Sequence, residues 1–365
     1  MFLPKVIPLF LLWFSSVAQS SLIWLDCDPS VGQHEVDDGY ALLQGFKSHI
    51  TTIVGVSAVY GNAPLSVTLP TAQKIVDALS NGTMKVFRGA ESRDDYTSST
   101  DASVAIVEAL SMWCEEKIII IALGPLTNIA AALSQNSSIA QCIKEVISVS
   151  GRRPGQKFTI NNASNHLRDL NFDLDPFSYA VVINSTVALT LIPWEVSSQV
   201  WLLRSDLEGI HSSDPYVQWL VEASLEWCLH WRGRFGVDGF NPFDSLAVAF
   251  VTTPSIFGCD HYPITVFNSS SSCQVAQSEP TGSIYDLELH VLDYKENATH
   301  TLTTNMGDTT FPLPSRHSVK YCHSVHSGYS RALLDILRGY QTVITVINAS
   351  DEVVTSQARM KKDLV

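Results

Sequence analysis

Four aspartates, Asp26, Asp28, Asp37 and Asp38, fall within thirteen positions in the stretch "LDCDPSVGQHEVDDGYALL". Like charges that close repel one another, and a folded chain tolerates them when a cation sits among them. Oxygen ligands without neighbouring His or Cys pairs suit a hard ion, Ca²⁺ or Mg²⁺, better than zinc. The plainer alternative is that Asp37 and Asp38 decorate a helix N-terminus, where the backbone dipole favours carboxylates, and that Asp28 caps a turn. An Asp-x-Asp-Pro ending the apolar strand "SLIWL", just ahead of the acidic pair, favours the cation site.

Such a site needs elements to hold it. Apolar, β-branched runs ("SLIWL", "TTIVGVSAVYG", "MKVFRG", "KIIIIALG", "EVISVSG") alternate with helical stretches that begin near Asp37 and run through "LPTAQKIVDALS", "SVAIVEALSMW" and "LTNIAAALS". "AVVINS" and "VALTLIPWEV" extend the pattern. Continuous apolar strands between helices predict an α/β fold, an open, mostly parallel mixed sheet flanked by helices. Ligands in such sheets bind beyond the carboxyl ends of the strands. That edge is where Asp26 and Asp28, then Asn62, then Thr127 and Asn128 fall. Later come a helix "YVQWLVEASLEWCLHWRGRF", a loop "GVDGFNPFD", a helix "SLAVAFV", short antiparallel strands and loops from Cys259 to about Pro314, and an amphipathic helix "GYSRALLDILRGY". One domain is expected over 21–350, with a frayed tail at 351–365.

The formal net charge of -13 over 365 residues disfavours a phosphate backbone as partner, so no nucleic acid is expected. Lys5, the apolar run from Val6 to Phe14 and small residues at Ala18 to Ser20 read as a signal peptide over 1–20, too short to span a bilayer. No later apolar run reaches membrane-spanning length, so no membrane partner is expected and the mature chain is read as secreted, extracellular or in a cell wall. Asn81, Asn136, Asn162, Asn184, Asn268, Asn297 and Asn348 each open an N-x-[ST] sequon, which fits export with glycosylation. Seven cysteines suit an oxidising compartment. Cys27 reads as a buried free thiol, and Cys259 with Cys273 as the disulfide across a polar loop.

With these residues in hand the chain resembles the inosine-uridine preferring nucleoside hydrolases. Their D-x-D-P-G-x-D-D hallmark is matched by "DCDPSVGQHEVDD", followed in family order by "VYGN" ending at Asn62, "VFRGA", "IIALGPLTNIA", "DLNFDLDP" and "FDSLAVA". The resemblance implies hydrolysis of the N-glycosidic bond of ribonucleosides, giving ribose and free base. It implies Ca²⁺ held by Asp28, Asp38, the backbone carbonyl of Thr127 and Asp244, with Asp37 as general base toward metal-bound water. It places Asn62 and Asn171 on ribose hydroxyls, Asp169 toward the 5′ end, and Asp26 as an orienting residue beside the substrate. Relatives are often homodimers or homotetramers.

The match also departs from the pattern. Five extra residues separate Asp28 from Asp37, which could carry His34 and Glu35 into the pocket. Phe243 stands where many members have a histidine that protonates the leaving base, so Trp227, Trp231 and His230 are candidates for the base side, beside the reading that the tryptophans are core. "SVSGRR" at 148–153 alters the pocket lip, and the asparagine toward the 5′-hydroxyl is Asn161, Asn162 or Asn165. A different class of reading is a secreted nucleoside-binding protein on a catalytically degenerate scaffold.

Overall fold

The computed structural model describes residues 20–32, 35–161, 167–268, 287–291, 318–346 and 353–359. In chain order the first half runs β1 (Ser21–Cys27), α1 (Asp37–Lys47), β2 (Thr51–Ala58), α2 (Leu65–Ser80), β3 (Val86–Arg88), α3 (Asp101–Met112), β4 (Ile118–Ala122), α4 (Thr127–Gln135) and β5 (Ile143–Ser148). Then follow α5 (Leu170–Leu174), α6 (Pro176–Asn184), β6 (Leu189–Leu191), α7 (Trp194–Ser197), β7 (Leu202–Leu203), α8 (Arg204–Leu207), α9 (Pro215–Phe235), β8 (Gly239–Phe240) and α10 (Ser245–Thr252). The chain continues through β9 (Phe257–Asn268), β10 (Leu287–Val291), β11 (Ser318–Val325), α11 (Tyr329–Leu337), β12 (Tyr340–Val346) and β13 (Val353–Arg359).

The main sheet has nine strands in the order β10-β9-β11-β6-β5-β4-β1-β2-β3. Every pair from β11 to β3 is parallel, and β9 and β10 close one edge antiparallel. The mixed, largely parallel sheet expected from the apolar runs is therefore present. Its strands are apolar throughout because both faces are covered. In β1, Ile23, Leu25 and Cys27 point into one buried layer with α1, α2, α9 and α10, whereas Trp24 points into the other with α3, α4 and α6.

The strand order reverses at the centre. From β1 the chain adds β2 and β3 on one side, then crosses to place β4 on the other side of β1. The crevice beyond the carboxyl ends of β1 and β4 is thus the switch point where ligands bind in open α/β sheets. The loop after β1 and the start of α4 both open onto it.

One expectation is corrected. Cys259 is bonded to Cys322, not Cys273: β9 and β11 are antiparallel neighbours and set Cys259 opposite Cys322 in register, a pairing created by the sheet rather than by a local loop. Cys273 itself lies outside the described residues. A second disulfide, Cys114 to Cys142, ties the segment after α3 to the start of β5, while Cys27 and Cys228 are buried free thiols. Within the tail expected to fray, β13 pairs along its length with β12 as an antiparallel ribbon, its "VVT" start being β-branched. Among the described residues no helix is long and apolar enough to cross a membrane.

Candidate active site

At the end of β1 the chain carries Asp26 and Asp28, both fully buried. Asp26 lies on the Trp24 face and is tied by hydrogen bonds from the Ser57 hydroxyl and from Asn128 Nδ2 (2.8 Å). Asn128 in turn accepts from the backbone N–H of Ala90 (2.8 Å), so the "GPLTN" turn and the "VFRGA" strand end are locked to β1 through one side chain. Asp26 is thus bonded to side chains of β2 and α4. Burial lifts its carboxyl to about 7, against the stabilising hydrogen bonds.

Asp28 points into the crevice. Its Oδ2 accepts from the backbone N–H of Asn62 (2.7 Å), and its own N–H donates to Asp38 Oδ1 (3.2 Å). Asn62 Nδ2 donates to Asp38 Oδ2 (3.2 Å), closing a ring between the ends of β1 and β2 and the start of α1. Two glycines make room for Asp28. A Cβ on Gly61 would lie 1.8 Å from Asp28 Oδ2, and one on Gly124 2.9 Å from its Cγ. The glycines of "VYGN" and "ALGPLTN" are therefore required by close approach to a carboxylate.

Asp37 and Asp38 begin α1, and Asp244 stands just before α10, with all three buried. Thr127 opens α4; its hydroxyl donates to Asp175 (2.6 Å), which also caps the start of α6 through the N–H of Ser178 (3.0 Å). The sequence expectations for Asp28, Asp37, Asp38, Asn62 and Asp244 thus meet at one place. Glu35 joins them: it is buried, accepts from the N–H of Ser30 (2.5 Å) and of Asp38 (3.3 Å), and is hydrogen-bonded to Asp37. His34 lies outside the described residues.

The carboxyls perturb one another. Burial first, and then the neighbouring charges, hold Glu35, Asp38 and Asp244 well above the ordinary carboxylate range and raise Asp28 to about 7. Burial also raises Asp37, opposed by the Glu35 hydrogen bond and by backbone N–H donors that include Asp244. Asp38 is likewise hydrogen-bonded to Asp244. A bond between two carboxyl groups requires a proton on one of them, and a cation among them would remove that need.

The donor set fits a hard divalent ion. It is all oxygen, it is buried, and Asp28 Oδ1 is buried with no hydrogen-bond partner. Among the described residues, however, no group of three or more His, Cys, Asp or Glu side chains already stands in position to hold a metal ion. Coordination would require the carboxyls to exchange their mutual hydrogen bonds for an ion.

The residues expected on the ribose, Asn171 and Asp169, lie at the ends of β4 and β5. Asn171 Nδ2 donates to the carbonyls of Leu123 (2.6 Å) and Val149 (3.1 Å), at the ends of β4 and β5. Asp169 accepts from the N–H of Gly151 (2.6 Å); burial raises it to about 7, and the Arg152 charge opposes the rise. Asn161 is exposed and donates to the Phe235 carbonyl (3.0 Å), while Asn162 and Asn165 lie outside the described residues.

On α9, Trp231 is buried. Its ring packs against Trp201 (6.0 Å), Phe235 (5.1 Å) and Phe243 (6.4 Å), which makes it a core residue. Trp227 is half-buried and stacks on exposed His230 with centroids 4.7 Å apart and planes 4° from parallel. Asp175, Ser57 and Asn128 are the residues whose role only the structure reveals. They sit within the matched motifs or on β2, but their contacts join segments far apart in the chain.

Comparison with known proteins gives the family and the fold. The profile of the family described as inosine-uridine preferring nucleoside hydrolase matches residues 23–304. A probable ribonucleoside hydrolase of Dictyostelium discoideum is 26% identical over 69% of this chain and 83% of its own length. Uridine nucleosidase 1 of Arabidopsis thaliana is 24% identical over 64% of this chain and 74% of its own. Among solved structures, a plant nucleoside hydrolase superposes with a TM-score of 0.64 at 18% identity, covering 87% of this chain and 98% of that one. A purine-preferring ribonucleoside hydrolase from Gardnerella vaginalis gives 0.62 at 17%, with the same coverage. The chain belongs to the inosine-uridine preferring nucleoside hydrolase family and is a hydrolase of that kind.

Proposed function

We propose that this member of the family is a calcium-dependent ribonucleoside hydrolase in which Asp28, Asp38, Asp244 and the backbone carbonyl of Thr127 hold the ion and Asp37 is the general base. When bound, a divalent ion there lowers the pKa of a water molecule and fixes the ribose diol. The observation that carries the reading is the meeting of Asp28, Asp38 and Asp244 at the switch point, with Asp28 Oδ1 buried and unpartnered.

The chain's own groups divide the remaining work. Asp37 sits at the start of α1, where backbone N–H groups direct its carboxylate, and takes the proton of the attacking water. Asn62 and Asn171, fixed to Asp38 and to the ends of β4 and β5, bind ribose hydroxyls, with Asp169 toward the 5′ end. Cleavage of the N-glycosidic bond passes through an oxocarbenium-like sugar, and the surrounding carboxylates stabilise its charge. Phe243 offers no proton to the leaving base. Help for the departing base would then come from aromatic stacking or another acid, with Trp227 and His230 of α9 as the candidates.

We also place the protein outside the cell. Two disulfides, the N-terminal signal pattern and the exposed sequon residues Asn81 and Asn184 support export with glycosylation.

The test is release of reducing sugar from a panel of ribonucleosides with and without chelator. Sugar release that stops in chelator and returns with calcium is expected; release indifferent to chelator contradicts the metal assignment. Phe243 and the longer first loop favour one second reading, a nucleoside-binding protein. Tight nucleoside binding with no ribose released in calcium would select it.

A further inference from the structure

The hallmark spacing puts the acidic pair directly after D-x-D-P-G-x, whereas here "SVGQHEV" intervenes between Pro29 and Asp37, five residues more. A longer loop leaves the start of α1 less constrained relative to β1. Yet Asp28 and Asp38 remain within hydrogen-bond reach. The usual device for fixing a helix start is also missing: Val36, the residue before α1, supplies no side-chain cap.

Glu35 fills both gaps. One of its oxygens accepts from Ser30 at the start of the loop, the other from Asp38 in the first turn of α1, and the same carboxyl meets Asp37. A bridge between Val31 and Glu35 closes the loop on itself, and Glu35 is 5% exposed, inside the site rather than on its rim.

We propose that Glu35 is a positioning residue of the cation site: it clamps the end of β1 to the first turn of α1 and orients Asp37, replacing the constraint that a shorter loop supplies by connectivity. Both of its oxygens are engaged by backbone N–H groups, so it acts through Asp37 and Asp38, whereas Asp28 keeps an unpartnered buried oxygen that would be available to an ion. The proposal rests on the calcium reading above.

The test is calorimetric titration of calcium into the chelator-stripped full chain, with thermal melting in chelator as the control for folding. Glu35→Ala should weaken calcium binding at least tenfold. Glu35→Gln, which keeps one acceptor and can donate to Asp37, should recover to within about threefold of the parent. Deleting residues 31–35 gives "DCDPSVDD", the hallmark spacing, and should bind calcium within about threefold of the parent with no Glu35 at all. Parental affinity in a folded Glu35→Ala protein would overturn the proposal. If that variant does not fold, the deletion variant decides: retained calcium binding supports the clamp, and lost binding refutes it. Absence of calcium binding in the parent itself would defeat the calcium reading instead, so the two failures are distinguishable. In ribose release, the clamp predicts for Glu35→Ala in saturating calcium a fall in kcat with KM changed less than about threefold.

Discussion

Two acidic regions of the molecule solve the same problem in opposite ways. Around β5 and β6, carboxylates meet basic partners: Arg153 pairs with Glu195 (2.9 Å), Arg168 with Asp173 (2.6 Å), Lys320 with Glu145 (3.2 Å), and the Arg152 charge steadies Asp169. At the ends of β1 and β4, Asp28, Glu35, Asp37, Asp38 and Asp244 meet mainly one another and backbone N–H groups. The first arrangement is complete as the chain folds. The second is built against its own electrostatics, which marks it as the region where stability has been given up for function.

Substitutions separate the two. The largest effect is expected at Asp37. Asp37→Ala should cut turnover roughly a thousandfold, the scale of a lost general base, while the protein melts within a few degrees of the parent. Activity within tenfold of the parent in a steady-state assay would remove Asp37 from that role. Next comes Asp28→Asn, which deletes one of the crowded charges. It should abolish the rise in melting temperature that calcium produces and, in chelator at pH 8, melt at or above the parent. A substitution that destabilises the chelated protein by several degrees would mean that the carboxylates are not in conflict.

Much of this was legible in the sequence, for identifiable reasons. Strands buried on both faces leave continuous apolar runs, and Asp26, Asp28, Thr127 and Asn128 sit directly at the ends of such runs, so their common edge could be read from the pattern. Glu35 was harder. It lies in a loop with no periodicity, and its burial is decided by Ser30 and Asp38 closing around it. Cys322 as the partner of Cys259 depends on β11 lying beside β9, a sheet order set by long-range packing. Trp231 and Trp227, four apart on α9, share a helical stripe in the sequence, yet the structure separates them into a core ring and a half-buried stack on His230.

Smaller effects sharpen the contrast on the paired side. Asp169 is raised from the model-compound value of 3.8 to about 7 by burial. A group whose folded pKa is raised contributes stability that is complete below about pH 4 and is lost as pH rises through 7. The parent should therefore lose stability across that window by about 1 kcal/mol per pH unit more than Asp169→Asn, read from denaturant melts at pH 5, 6 and 7. Equal slopes would show that Arg152 keeps Asp169 ionised throughout. Smallest of all, Arg153→Ala removes a partly exposed ion pair with Glu195 and should cost about 0.5–1 kcal/mol with no change in calcium response. A loss of calcium binding there would join the two regions that the structure keeps apart.

The central claim is that the crowded carboxylates at the switch point are a divalent cation site. Counting calcium bound per chain by equilibrium dialysis, for the parent and for Asp28→Asn, tests it most directly. One calcium per parent chain and none in the variant is the predicted result. No bound calcium in the parent, or equal binding in both, would contradict it.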